Sequence, residues 1–191
     1  MLELILLSLG ISCVTGVLSL VAGKARAASK VIACAGGMAS AACAFVGGAG
    51  ALLSPAVYAS WLGPMPFTNF TLLLNPLAGL LIAVISALAF VAWLYGLSYF
   101  DEYYDKGIGA IGFFMNLFIA SMNLVILADN AFWFLVFFEL MSLTSYVLVI
   151  IDQTEKSLRG GFLYLIMAHI GFLMIAISFF VMASAAGSLE F

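Results

Sequence analysis

Charge is nearly missing from this chain. Only 8% of its 191 residues are Asp, Glu, Lys or Arg, against about 25% in an ordinary soluble domain. A fold of this size exposes too much of its surface to hide a composition that is 66% apolar. A water-soluble globular enzyme and a disordered chain are therefore excluded. Basic residues are scarce too: six Lys and Arg face nine Asp and Glu, for a net charge of −3. That leaves no basic patch for phosphate, and nucleic acid is excluded as a partner. One histidine and three cysteines, Cys13, Cys34 and Cys43, sit in apolar runs without paired spacing. They make neither a disulfide framework nor a metal ligand set, and the cysteines read as small packing residues. No Gly-rich phosphate loop, nucleophile triad, haem ligand set or iron–sulfur ligand set is visible, so no cofactor is expected. The start, Met1-Leu2-Glu3-Leu4, is acidic where a signal peptide needs basic residues. Ala25-Arg26-Ala27 imitates a cleavage box, but the apolar stretch before it is too long for a signal core, and it reads as a retained first span.

What is present is long apolar runs, with a mean hydropathy of +1.26. A helix crosses a bilayer with about 20 mostly apolar residues. Six stretches qualify, at about 4–22, 31–53, 76–99, 108–127, 131–151 and 162–183. The expected fold is all-α: a single polytopic membrane helix bundle over 1–191, with the lipid bilayer as its solvent. The connections after spans one, three and five hold Lys24, Arg26, Lys30, Lys106, Lys156 and Arg159, which is every basic residue in the chain. The positive-inside rule puts those connections in the cytoplasm and both termini outside. An incorrect span count would scramble this segregation. Segment 54–75 has no basic residue, and Pro55, Pro64 and Pro66 break helix there. It reads as an outer loop with a short hairpin around Phe67–Leu74. Its rings Tyr58, Trp61, Phe67 and Phe70 suit the headgroup level. Span two is crowded with Gly and Ala, as in Gly36-Gly37 and Gly47-Gly48, and so is expected to pack closely against protein. The acidic run Asp101-Glu102-Tyr103-Tyr104-Asp105 reads as a solvated cytoplasmic edge.

Glu139 stands apart, near the middle of span five. A charged side chain at mid-bilayer costs at least about 2.5–3.5 kcal/mol on insertion scales. A low-dielectric setting disfavours the ionised form of a carboxyl, and a carboxyl that passes easily between its two forms suits a proton relay. The alternative is a protonated Glu gluing helices together. His169 lies in span six. Counted from the inner ends, Glu139 is roughly 18 Å deep and His169 roughly 12 Å, so contact or a water-bridged link is open to them. A neutral histidine satisfied by a backbone or hydroxyl partner is the alternative. Asn116 and Asn123 share one stripe of span four, and Ser142 and Tyr146 lie one and two turns beyond Glu139. Their expected role is polar support around the acid, or else ordinary interhelical hydrogen bonds.

The runs Gly112–Met122, Asp129–Phe134 and Phe138–Tyr146, with Leu163-Tyr164, Ala168-His169 and the ending Gly187–Phe191, resemble a known family. It comprises the antiporter-like, proton-pumping subunits of respiratory complex I, Mrp-type antiporters and membrane-bound hydrogenases of the hydrogenase-4 type. The likeness is specific from about Tyr95 onward; before that it rests on span order and the outer loop. It implies a membrane subunit of about fourteen spans with two inverted five-helix repeats, seated in the inner membrane beside other subunits that do the redox chemistry. A glutamate in the fifth span belongs to the first half-channel, and Glu139 matches it. A seventh-span lysine that normally pairs with it, and the second repeat, lie outside these 191 residues. The chain is thus expected to be an N-terminal portion that needs further helices from partner membrane subunits or from a longer chain. Asn75 stands where relatives often have aspartate. Two rival expectations are a sodium/proton antiporter module of the same family and a purely structural membrane subunit.

Overall fold

The computed structural model describes residues 1–65, 68–100 and 107–189. The calls on Pro66 and Phe67, on the acidic run 101–105 and on Lys106 lie outside the described residues. Six helices are long and apolar enough to cross a membrane: α1 Leu2–Val21, α2 Arg26–Ala51, α3 Pro76–Tyr99, α4 Ile108–Leu127, α5 Ala131–Val149 and α6 Glu155–Ala186. The chain is a multi-pass membrane protein built as a helix bundle. Between α2 and α3 stand two antiparallel strands, β1 Val57–Met65 and β2 Thr68–Leu74.

In lipid the sorting rule inverts: small and polar residues face protein, and large apolar ones face outward. α1 follows it. Ser8, Ser12, Gly16 and Ser19 share a buried stripe, while Leu7, Val14, Val17 and Leu18 are exposed. The stripe meets α2 through paired serines. Ser12 Oγ lies 2.6 Å from Ser40 Oγ, and Ser19 Oγ lies 3.0 Å from Ser29 Oγ. α2 sits between α1 and α3, and its glycines make that possible. A Cβ on Gly37 would lie 2.1 Å from the Trp93 ring, and one on Gly48 would lie 2.7 Å from the Gly79 carbonyl oxygen. α4 closes the unit against α1, with Gly112 beside Ser19 and Asn116 beside Gly16.

Helix ends are written in local chemistry. The Asn75 side chain accepts from Ala78 N at 2.8 Å and starts α3, with Pro76 at its first turn. Asn130 likewise accepts from Phe132 N at 2.9 Å and starts α5. A Thr154–Ser157 capping box starts α6, and Gly187 ends it at a φ of 75°. At 32 residues, α6 is about 48 Å long.

The hairpin is larger than its sequence signals. The expectation centred on Phe67–Leu74; the first strand begins ten residues earlier, pairing Val57 with Leu74 and Trp61 with Phe70. Pro55 precedes the strand instead of interrupting it. Phe70 anchors it, edge-on to Trp133 and Phe137 with centroids 5.1 and 6.0 Å away. Trp133 Nε1 donates to Asn69 O at 2.9 Å. Asp129 N donates to Thr71 O at 3.2 Å, which ties the hairpin to the α4–α5 turn.

Candidate functional site

α5 and α6 run antiparallel along a seam of paired contacts. Phe134 meets Phe179 edge-on at 5.5 Å, and Phe138 stacks on Phe172 at 6.5 Å. Towards the other end, Ser145 Oγ hydrogen-bonds to Tyr164 OH, and Gly161 admits the Tyr146 ring and Ile150. Near the middle of that seam, His169 Nε2 lies 2.8 Å from Glu139 Oε1. His169 Nδ1 lies 2.9 Å from the carbonyl oxygen of Leu165, one turn back on its own helix. The side chains are 43% exposed for His169 and 25% for Glu139. Glu139 Oε2 is nevertheless fully covered and has no hydrogen-bond partner among the described residues. One carboxylate oxygen is engaged; the other is covered and unpaired among the described residues.

A groove of about 660 Å³ lies beside Glu139. Phe132, Leu135, Leu143, Phe172 and Phe180 line it with other apolar residues, and Glu139 is the only ionisable side chain among them.

The residues expected to support Glu139 lie in separate places. Asn116 and Asn123 are buried on α4, Asn116 against Gly16 of α1. Asn116 Nδ2 donates to Gly112 O at 3.0 Å, and neither side-chain carbonyl oxygen has a partner among the described residues. Ser142 is buried, and its main-chain oxygen accepts from Ser145 Oγ at 3.0 Å. Tyr146 packs over Gly161. Among the described residues none of the four hydrogen-bonds to the Glu139 carboxyl. The periodicity put Asn116 and Asn123 on one stripe, as observed, but Asn116 meets α1, where Gly16 leaves room for it. Two features were legible and unread: the Ser8, Ser12, Ser19 spacing on α1, and Tyr164 as the partner of Ser145.

Comparison with known proteins places this geometry in a family. The family model for NADH:quinone oxidoreductase/Mrp antiporter transmembrane segments matches residues 128–191. That stretch runs from the α4–α5 turn through α6 and contains both Glu139 and His169. Hydrogenase-4 component B of Escherichia coli K12 is 48% identical over 128 residues, 67% of this chain and 19% of that protein. The chain belongs to the antiporter-like family of membrane subunits. It spans about a fifth of the length of hydrogenase-4 component B. The fold extends the likeness over 97% of the chain. A chain of the archaeal membrane-bound sulfane sulfur reductase superposes with a TM-score of 0.79 at 17% identity, this chain covering 38% of it. A chain of the Mrp complex of Dietzia sp. DQ12-45-1b gives 0.78 at 21% identity, with 20% of it covered. Both likenesses are of fold.

Proposed function

We propose that this chain carries the first half-channel carboxyl of a proton-translocating, antiporter-like subunit in a hydrogenase-4 or complex I-like redox assembly. Glu139 is the proton carrier and His169 its neighbour in the relay. The connections bearing Lys24, Arg26, Lys30, Lys156 and Arg159 face the cytoplasm, both termini face outward, and the membrane is the inner membrane. Electron transfer belongs to other subunits. Further helices, from partners or from a longer chain, cover the α5–α6 groove. The observation that carries this reading is the Glu139–His169 pair: a carboxyl and an imidazole 2.8 Å apart, midway along membrane-length helices.

The test is Glu139→Gln in the complete membrane complex, assembled in inverted vesicles. Electron transfer and subunit content are expected to persist, while proton uptake per electron is lost. Normal coupling in a fully assembled variant rejects the assignment, and lowered assembly with normal coupling per complex supports a purely structural subunit instead. Uptake driven by sodium and abolished in its absence would shift the reading to a sodium/proton module.

A further inference from the structure

The two hydrogen bonds of His169 restrict which protons the pair can hold. A carbonyl oxygen only accepts, so the contact between Nδ1 and Leu165 O, at 2.9 Å, requires a proton on Nδ1. That same oxygen accepts the helical N–H of His169, and its second lone pair serves the ring. Were the neutral ring to carry its proton on Nε2 instead, two lone pairs would face each other there. With Nδ1 protonated, the 2.8 Å contact between Nε2 and Oε1 has two attractive forms. One is imidazolium against carboxylate; the other is neutral imidazole against carboxylic acid. Both hold one proton between Nε2 and Oε1, and both have zero net charge, which suits an apolar groove.

We infer that the Leu165 carbonyl is a positioning group: by keeping Nδ1 protonated it makes Nε2 the proton-exchanging atom of His169 and gives the Glu139–His169 pair one shared, transferable proton. This deepens the reading of Glu139 as a proton carrier and rests on it. In the transfer the Nε2–H bond breaks, its electron pair stays on nitrogen, and an O–H bond forms at Oε1. The heavy atoms keep their places. Removing the shared proton altogether leaves a carboxylate facing a lone pair, and the contact opens. Oε2, without a partner among the described residues, is the atom left to trade a proton with a third group. The groove around the pair offers only apolar side chains. The nearest titratable groups along the seam are Tyr146, packed on Gly161, and Tyr164, bonded to Ser145.

His169 is the only histidine, so labelling with ring-¹⁵N histidine yields one pair of nitrogen signals. The experiment is a pH series on the full chain in lipid nanodiscs, read by ¹⁵N NMR. The expected result is a protonated-type shift at Nδ1 at every pH, with only Nε2 changing. A neutral ring protonated on Nε2 overturns the inference. Glu139→Leu separates the two contacts: a retained Nδ1 proton assigns the tautomer to Leu165, whereas reversion to the Nε2 form assigns it to Glu139 and overturns the positioning role. If the tautomer is as inferred while Glu139→Gln leaves coupling intact in the complex, the transport reading fails and the positioning geometry stands.

Discussion

The bundle has two halves that use polar side chains in opposite ways. In α1 to α4 the buried polar side chains are neutral, and two serine pairs join α1 to α2, Ser12 with Ser40 and Ser19 with Ser29, while Ser86 Oγ and the Asn116 and Asn123 side-chain oxygens have no partner among the described residues. Half of the apolar stretch of α2 is buried within the chain, and its glycines bring backbones into contact. In α5 and α6 an ionisable pair, Glu139 with His169, joins the helices beside neutral hydroxyls, and one carboxylate oxygen has no partner among the described residues. Only 17% and 6% of those helices' apolar stretches are buried within the chain. The first half spends its polarity on holding helices together. The second holds an ionisable pair beside a groove that the described residues leave open. Stability and transport are therefore expected to respond to different residues.

The largest effect sharpens this division directly. Glu139→Gln keeps the size of the side chain and removes its titration, and it is expected to abolish proton uptake per electron in the assembled complex. Asn116→Leu, an edit of similar size in the first half, removes a buried amide whose carbonyl oxygen is already unpaired. It is expected to leave coupling per complex unchanged and to alter thermal stability by no more than about 1 kcal/mol. Loss of coupling in Asn116→Leu at full assembly would break the comparison.

Next comes Gly48→Leu. A Cβ there lies 2.7 Å from the Gly79 carbonyl oxygen and 2.8 Å from Ala83 N. These are main-chain atoms of α3, which cannot rotate aside. Overpacking of this kind costs about 1–3 kcal/mol or more, and a clear fall in the unfolding midpoint in detergent is expected. Trp133→Phe has a smaller reach. It keeps a ring against Phe70 and removes the Nε1 donor to Asn69 O, for about 0.5–1.5 kcal/mol. Hydrogen exchange should rise across Thr68–Leu74 and stay unchanged in α1 and α2.

Much of the helical architecture could be read because lipid imposes a length and a polarity rule on every span. The Gly-Ala crowding of α2 pointed to close packing, and Gly37 against Trp93 supplies it. Glu139 was conspicuous because an acid in oil needs a reason. Partner choice was less legible. Helical periodicity states which residues share a face and not which neighbour the face meets, so it leaves Asn116 open to either Glu139 or another helix, and the fold sets it against Gly16 of α1. The hairpin was underestimated for a related reason. Its first strand leans on Phe70 of the second through Trp61, and Phe70 meets Trp133 and Phe137 only when α5 packs beneath it.

The serine contacts give the smallest effect, and their direction of bonding decides its size. Ser40 Oγ donates to Ser8 O at 2.9 Å, so the hydrogen between Ser12 and Ser40 must come from Ser12. Ser12→Ala then removes one donor and leaves Ser40 still bonded to Ser8. The expected loss is near the roughly 0.6 kcal/mol average for interhelical hydrogen bonds in membranes. Ser40→Ala removes an acceptor and a donor together, and it leaves the buried Ser12 hydroxyl to find a carbonyl on its own helix. Its cost should exceed that of Ser12→Ala in the same unfolding assay. Equal costs would mean that the hydroxyls on α1 and α2 act as isolated groups, and the first half of the bundle would then be held by glycine packing alone.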